Sequence, residues 1–412
     1  MQTSALDPAT VRSSFPSLER RIGGAPCVFA DAPGGTQVPR AVIDAMARYL
    51  GECNANSGGA FATSQETDAV IDAARGAAAD LLGSTAQEIV FGLNMTTLAF
   101  SLSRSLARTL GARDEIVVTR LDHDANIAPW IAAAEDSGAR VLWVDVDPHD
   151  CTLVLDELDA VLSERTRVVA FPLASNAVGT VTAARSVVKR ARAVGATVIA
   201  DAVHVAPHRA LDVRALDVDV AFCSPYKFFG PHLGVMFARR ELLEKWRPYK
   251  VAPAHDGAPD RWEIGTKNHE ALAGLVATVD YIAGLGDGSD RRARVASGMD
   301  AVRGAEVQLS RAFLDGLSSV PGVRLFGIAD SARCDERTPT FAIRLGDRHP
   351  RDVSAALGAR GIFTWDGNYY ALALMERLGL ERSGGAVRIG FCHYNTVDEV
   401  DRVIAELARL AG

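Results

Sequence analysis

A chain of 412 residues, 48% hydrophobic and 23% charged, has the make-up of a soluble globular protein with room for one large and one smaller domain. Its net charge of −7 argues against nucleic acid or an acidic membrane surface as the main partner, and no apolar run approaches the roughly 18 residues that cross a bilayer. The opening MQTSALDPATVRSSFPSLERR has no apolar stretch and carries acids early, so no secretory signal is expected and the expected compartment is the cytoplasm.

Taken in chain order, residues 1–24 are expected to be an N-terminal arm packing on the small domain, and 25–270 the large α/β domain. Within 88–240, seven short β-rich runs alternate with helical stretches: 88–93, 115–121, 140–146, 167–173, 197–201, 218–224 and 234–239. Most are almost continuously apolar, as strands covered on both faces must be, which predicts one large, mainly parallel sheet. Helices are expected at 152–165 and 184–195 between them. The segment around 250–260, VAPAHDGAPD, reads as a loop. From 271 a linking helix leads to a smaller α+β domain, with strands at 323–327, 340–346 and 386–392 and helices at 350–359 and 396–410.

The six cysteines (27, 53, 151, 223, 334 and 392) form no C-x-x-C pair and no cluster with histidine, so neither a disulfide framework nor a metal site is expected. A dinucleotide site is not expected either. Gly34-Gly35 in DAPGGT lacks the strand–GxGxxG–helix setting.

Chemistry concentrates on Asp201 and Lys227. Asp201 ends the apolar run ATVIAD, and Lys227 follows the next one in SPYKFFGPHLG. Ligands of α/β sheets collect at the carboxyl ends of strands, so both side chains are expected in one crevice. A lysine there can form an imine with an aldehyde cofactor, and an aspartate can keep a pyridine nitrogen protonated. Taken singly, Lys227 reads better as an ordinary exposed lysine and Asp201 as a helix cap. Ser224, three residues before the lysine, offers a hydroxyl for a phosphate. NMTT (94–97) opens a helix whose first N–H groups, around Met95 and Thr96, make an anion site or merely a capped terminus.

From FADAPGGTQVPRAVIDA near residue 30 to RIGFCHYNTVDEVDRVI near the end, the chain resembles the class V aminotransferase superfamily, and more narrowly the cysteine desulfurase-like proteins. That resemblance implies the fold type I architecture of pyridoxal 5′-phosphate (PLP) enzymes, an amino-acid substrate and a homodimer with shared active sites. It makes Lys227 the Schiff-base lysine and Asp201 the partner of the pyridine nitrogen. His123, in LDHDANIAPW, would stack on the pyridine face, and Asn176, in SNAVGT, would contact ring and substrate. His204 stands where glutamine is usual beside the phenolic oxygen. Ser224 matches a phosphate ligand, and Tyr226 stands where a phosphate-binding histidine is common. Thr266, in EIGTKN, would reach the phosphate of a dimer partner, and Arg388, in VRIG, would clamp the substrate carboxylate.

One segment departs from the pattern. Group II cysteine desulfurases carry a run resembling R-x-G-H-H-C-A, whereas this chain reads GIFTWDGNYYA (361–371). Tyr370 takes the place of the persulfide cysteine, Asn368 and Tyr369 those of the histidines, and Trp365 that of the arginine. Tyrosine cannot hold a persulfide. Cys392 and Cys223 read as packed core residues. Tyr370 is therefore expected to be a catalytic proton donor or a pocket wall, and Trp365 to meet the substrate. The expected reaction is cleavage of a Cβ–S bond in a cysteine-derived amino acid. Transamination or epimerisation with the same machinery, and a non-catalytic PLP-binding protein, are the alternatives.

Overall fold

The computed structural model describes residues 6–412; residues 1–5, the first part of the expected arm, lie outside the described residues. Seven strands, β1 (Ile89–Gly92), β2 (Glu115–Thr119), β3 (Arg140–Val144), β4 (Thr166–Pro172), β5 (Thr197–Asp201), β6 (Val220–Cys223) and β7 (Gly234–Ala238), form one sheet in the order β1-β7-β6-β5-β4-β2-β3. Each lies within two residues of its expected bounds. β7 is antiparallel to both neighbours, and the other pairs are parallel. Alternate side chains enter two apolar layers: Val117, Val169, Phe171 and Val198 on one face, Ile116, Val118, Ala170 and Ile199 on the other. Burial on both faces explains why the strands read as unbroken apolar runs.

Around this sheet pack α1 (Arg40–Glu52), α2 (Ala62–Leu82), α3 (Met95–Ala107) and α4 (His269–Gly284), with shorter helices at Leu155–Val161 and Ala184–Ala193. The expected helix at 152–165 is shorter because Thr152 and Leu153 are drawn into turn and bridge contacts: Asp150 accepts the Thr152 N–H, and Leu153 bridges to Val146. α4 leads into α5 (Arg291–Leu317), each start capped by a side chain, Asn268 to the N–H of Ala271 and Asp290 to that of Ala293.

The second sheet is antiparallel: β8 (Val323–Phe326), β9 (Thr340–Leu345), β10 (Trp365–Gly367) and β11 (Ala386–Gly390), in the order β8-β9-β11-β10. α5, α6 (Pro350–Ala359) and α7 (Val397–Ala411) cover it, and Phe313, Phe341 and Phe391 meet in its core. A strip of chain at Val28–Phe29 pairs with Ile362–Phe363. The arm runs between the sheets. Arg12 pairs with Glu399 at 2.9 Å and donates to the Tyr394 carbonyl, while Phe15 sits among Phe229, Tyr281, His393 and Tyr394.

Candidate active site

The carboxyl ends of β2, β4, β5 and β6 open into one cleft of about 1060 Å³, closed on the far side by β10, β11 and the loop after β10. Met95, Thr96, His123, Asn176, Asp201, His204, Tyr226, Lys227, Trp365, Tyr370 and Arg388 all line it. Eleven expected residues thus converge from distant parts of the chain.

Lys227 sits on the tight turn Pro225–Lys227 directly after β6, where its Nζ donates to the Pro33 carbonyl at 2.5 Å. Burial lowers its pKa to about 7, the Arg388 charge adding to the effect and Asp201 opposing it. The amine is therefore partly neutral, and so nucleophilic, near pH 7. Asp201, the last residue of β5, accepts the Val203 N–H at 2.7 Å. Burial raises it to about 6, against the Val203 N–H and Lys227. Behind it, Asp122 is fully buried, pushed well up by burial and by the Asp201 charge, and held by Asn126 at 2.9 Å.

His123 follows β2 and accepts the Ala125 N–H on Nδ1 at 2.9 Å. Burial, with the Lys227 and Arg388 charges, brings it down to about 4, so the ring is neutral at physiological pH. Burial also holds His204 well below the usual histidine range, with His208, Arg388 and Lys227 adding to it.

Met95 and Thr96 form the first turn of α3, whose capping box joins Asn94 and Thr97. Ser224 lies behind that turn. It is buried, receives the Met95 N–H at 3.4 Å, and does not line the cleft. Tyr226 stacks on His232 at 4.8 Å. Thr266 is apart from the rest, exposed beside Leu93, Thr97 and Ile264 in a separate cavity of about 190 Å³. At the mouth stand Trp365, 49% exposed, and Tyr370, 72% exposed. Trp365 lies so close to Gly34 that a Cβ there would overlap the indole ring unless the tryptophan moved.

Among the lining residues to which the sequence reading gave no site role, three matter to the geometry. Asp122 is next to His123, Tyr369 next to Tyr370, and Pro33 lies in the APGG turn. The first two were within reach as neighbours of singled-out residues. The Pro33 contact is made by a backbone carbonyl, which no residue pattern announces.

The set fits PLP: a buried amine of lowered pKa for an aldehyde, a buried carboxylate for a pyridine nitrogen, and a helix start for a phosphate. Asn176 Oδ1, Arg388 Nε and Asp122 Oδ1 are buried without hydrogen-bond partners around this cleft, as groups awaiting a polar ligand are. No cysteine is among the residues lining it. Cys223 and Cys392 are fully buried, and burial pushes both thiols up.

The class-V aminotransferase family profile matches residues 28–403. An uncharacterized protein of Mycobacterium tuberculosis is 33% identical over 98% of this chain and 100% of its own length. A probable cysteine desulfurase of Streptomyces coelicolor is 32% identical over 97% of this chain and 96% of its own. In fold, the apo structure of a cysteine desulfurase from Thermococcus onnurineus superposes with a TM-score of 0.89 at 24% identity, covering 100% of this chain and 99% of that one. The architecture is that of fold type I PLP enzymes.

Proposed function

Because the chain belongs to the class-V aminotransferase family, whose members are PLP-dependent enzymes acting on amino acids, we propose that it cleaves the Cβ–S bond of a cysteine-derived amino acid by β-elimination. The observation that carries this reading is the composition of the cleft. Relatives bear the name cysteine desulfurase, yet Tyr370 stands in the loop where a persulfide cysteine would be, and no cysteine lines the site.

Bound PLP supplies an electron sink that acidifies the Cα–H of an attached amino acid. Lys227 would hold the cofactor and would move the Cα proton of a bound amino acid. Asp201 would balance a protonated ring nitrogen, His123 would stack on the ring, and Asn176 and His204 would contact it. The first turn of α3 at Met95 and Thr96, with Ser224 behind it and Tyr226 beside it, would hold the phosphate, helped by Thr266 of a second copy. Arg388 takes the substrate α-carboxylate, and Trp365 and Tyr370 wall the side-chain end. The reaction consumes one water and gives the thiol, pyruvate and ammonia, with no net oxidation or reduction. Desulfuration to alanine would instead need a thiolate to accept the sulfur.

The test is a thiol map. After turnover with L-cysteine, alkylation and mass analysis should find persulfide on none of the six cysteines. Stoichiometric persulfide on any of them would contradict the proposal.

A further inference from the structure

Tyr369 is the buried member of the tyrosine pair, 9% exposed, and its backbone is unusual. Tyr369 and Tyr370 both adopt left-handed conformations, with φ of 56° and 58°, a region that costs residues with side chains free energy. The surroundings hold this strained turn. The Tyr369 carbonyl accepts from Asn176 Nδ2 at 2.9 Å, and the Tyr370 carbonyl accepts the Asp124 N–H at 2.7 Å. The Tyr370 N–H donates to Asn368 Oδ1 at 3.1 Å, and Asn368 Nδ2 is anchored on Glu381. The Tyr369 hydroxyl donates to the Ala386 carbonyl, which fixes the far end of the ring.

The face so fixed lies under a cation. The Arg388 guanidinium carbon is 4.4 Å from the centre of the Tyr369 ring. Arg388 is buried, its Nη1 donates to the Asn176 carbonyl at 2.9 Å, its Nε has no partner, and among the described residues no carboxylate pairs with it in contact, the Asp31 carboxylate acting on it only from a longer range. A buried charge with no counter-ion in contact is costly unless an anion completes it, and a ring face offsets part of that cost meanwhile. Asn176 binds both Arg388 and Tyr369, so the three act as one unit.

We infer that Tyr369 is a positioning residue that holds the Arg388 guanidinium ready for the α-carboxylate, and so restricts the site to amines that carry one. The inference rests on the reading of Arg388 as the carboxylate ligand.

The test titrates the visible absorbance of PLP-loaded enzyme with L-alanine and with ethylamine, which lacks only the carboxylate. Wild type should bind alanine more tightly. Tyr369→Phe keeps the ring face and should preserve that preference. Tyr369→Leu, with Tyr369→Met as a second replacement should leucine fail to load cofactor, should weaken alanine at least about tenfold and leave ethylamine unchanged. Undiminished preference in the leucine and methionine variants overturns the inference alone, as does equal weakening of both ligands. No preference in wild type overturns the reading of Arg388, and the inference with it.

Discussion

Tyr370 stacks on His123, ring centres 5.5 Å apart and planes 24° from parallel. Tyr370 is largely exposed at the mouth of the cleft, and its hydroxyl has no hydrogen-bond partner among the described residues. A thiol with an ordinary pKa of about 8.5 departs as thiolate near neutral pH without a proton donor. Tyr370 is therefore proposed as a wall of the cleft. Tyr370→Phe should keep kcat within about threefold, whereas Tyr370→Ala, which removes a stacked ring, should lower kcat/KM up to about tenfold. Steady-state kinetics decide it, and a hundredfold loss in the phenylalanine variant would restore the proton-donor role.

Lys227 gives a pH prediction. Burial favours its neutral form, so the reactive fraction grows as pH rises through about 7 instead of about 10. The rate at which cofactor-free enzyme takes up PLP, followed by visible absorbance, should rise to about pH 8 and then level. Lys227→Ala should show no such band at any pH. A rate still climbing between pH 9 and 10 would mean that the amine is solvated.

How much of this was legible in the sequence follows from what each part depends on. The seven strands of the large sheet were readable because two-sided burial forces apolar runs, and the Asp201–Lys227 pairing followed from the rule for strand ends. α1 and α2 escaped. α2 is rich in alanine and small polar residues (ATSQETDAVIDAARGAAADLL), so its apolar stripe is weak. The strained Tyr369–Tyr370 turn was unreadable for another reason. Non-glycine residues carry no mark of a left-handed conformation, and two of the hydrogen bonds that hold it come from Asn176 and Asp124, which are distant in the chain.

A homodimer is proposed for the site to be complete. Leu93 is 74% and Ile264 56% exposed, and both border the cavity that holds Thr266. Leu93→Glu with Ile264→Glu should shift the protein toward monomer in sedimentation velocity and weaken PLP retention on dialysis. A wild-type monomer that retains PLP stoichiometrically would contradict this.

Stability should be sensitive at Arg75. It joins Glu263 through two bonds of 2.8 Å and reaches the Ile89 carbonyl at 2.7 Å, linking α2 to the start of β1. Arg75→Ala leaves Glu263 buried, with Lys267 at 2.9 Å as its remaining cation. The expected loss is about 3–5 kcal/mol, read from the urea midpoint with the transition slope unchanged. Glu263→Gln together with Arg75→Met should recover part of it, because both buried charges are then removed.

The central claim is a reaction, and its most direct test is product analysis of PLP-loaded enzyme incubated with L-cysteine and with S-substituted cysteines. The account predicts equal amounts of pyruvate, ammonia and the free thiol. Alanine formed together with released sulfur would contradict it, and would mean that desulfuration proceeds at a site where Tyr370 stands in place of the cysteine.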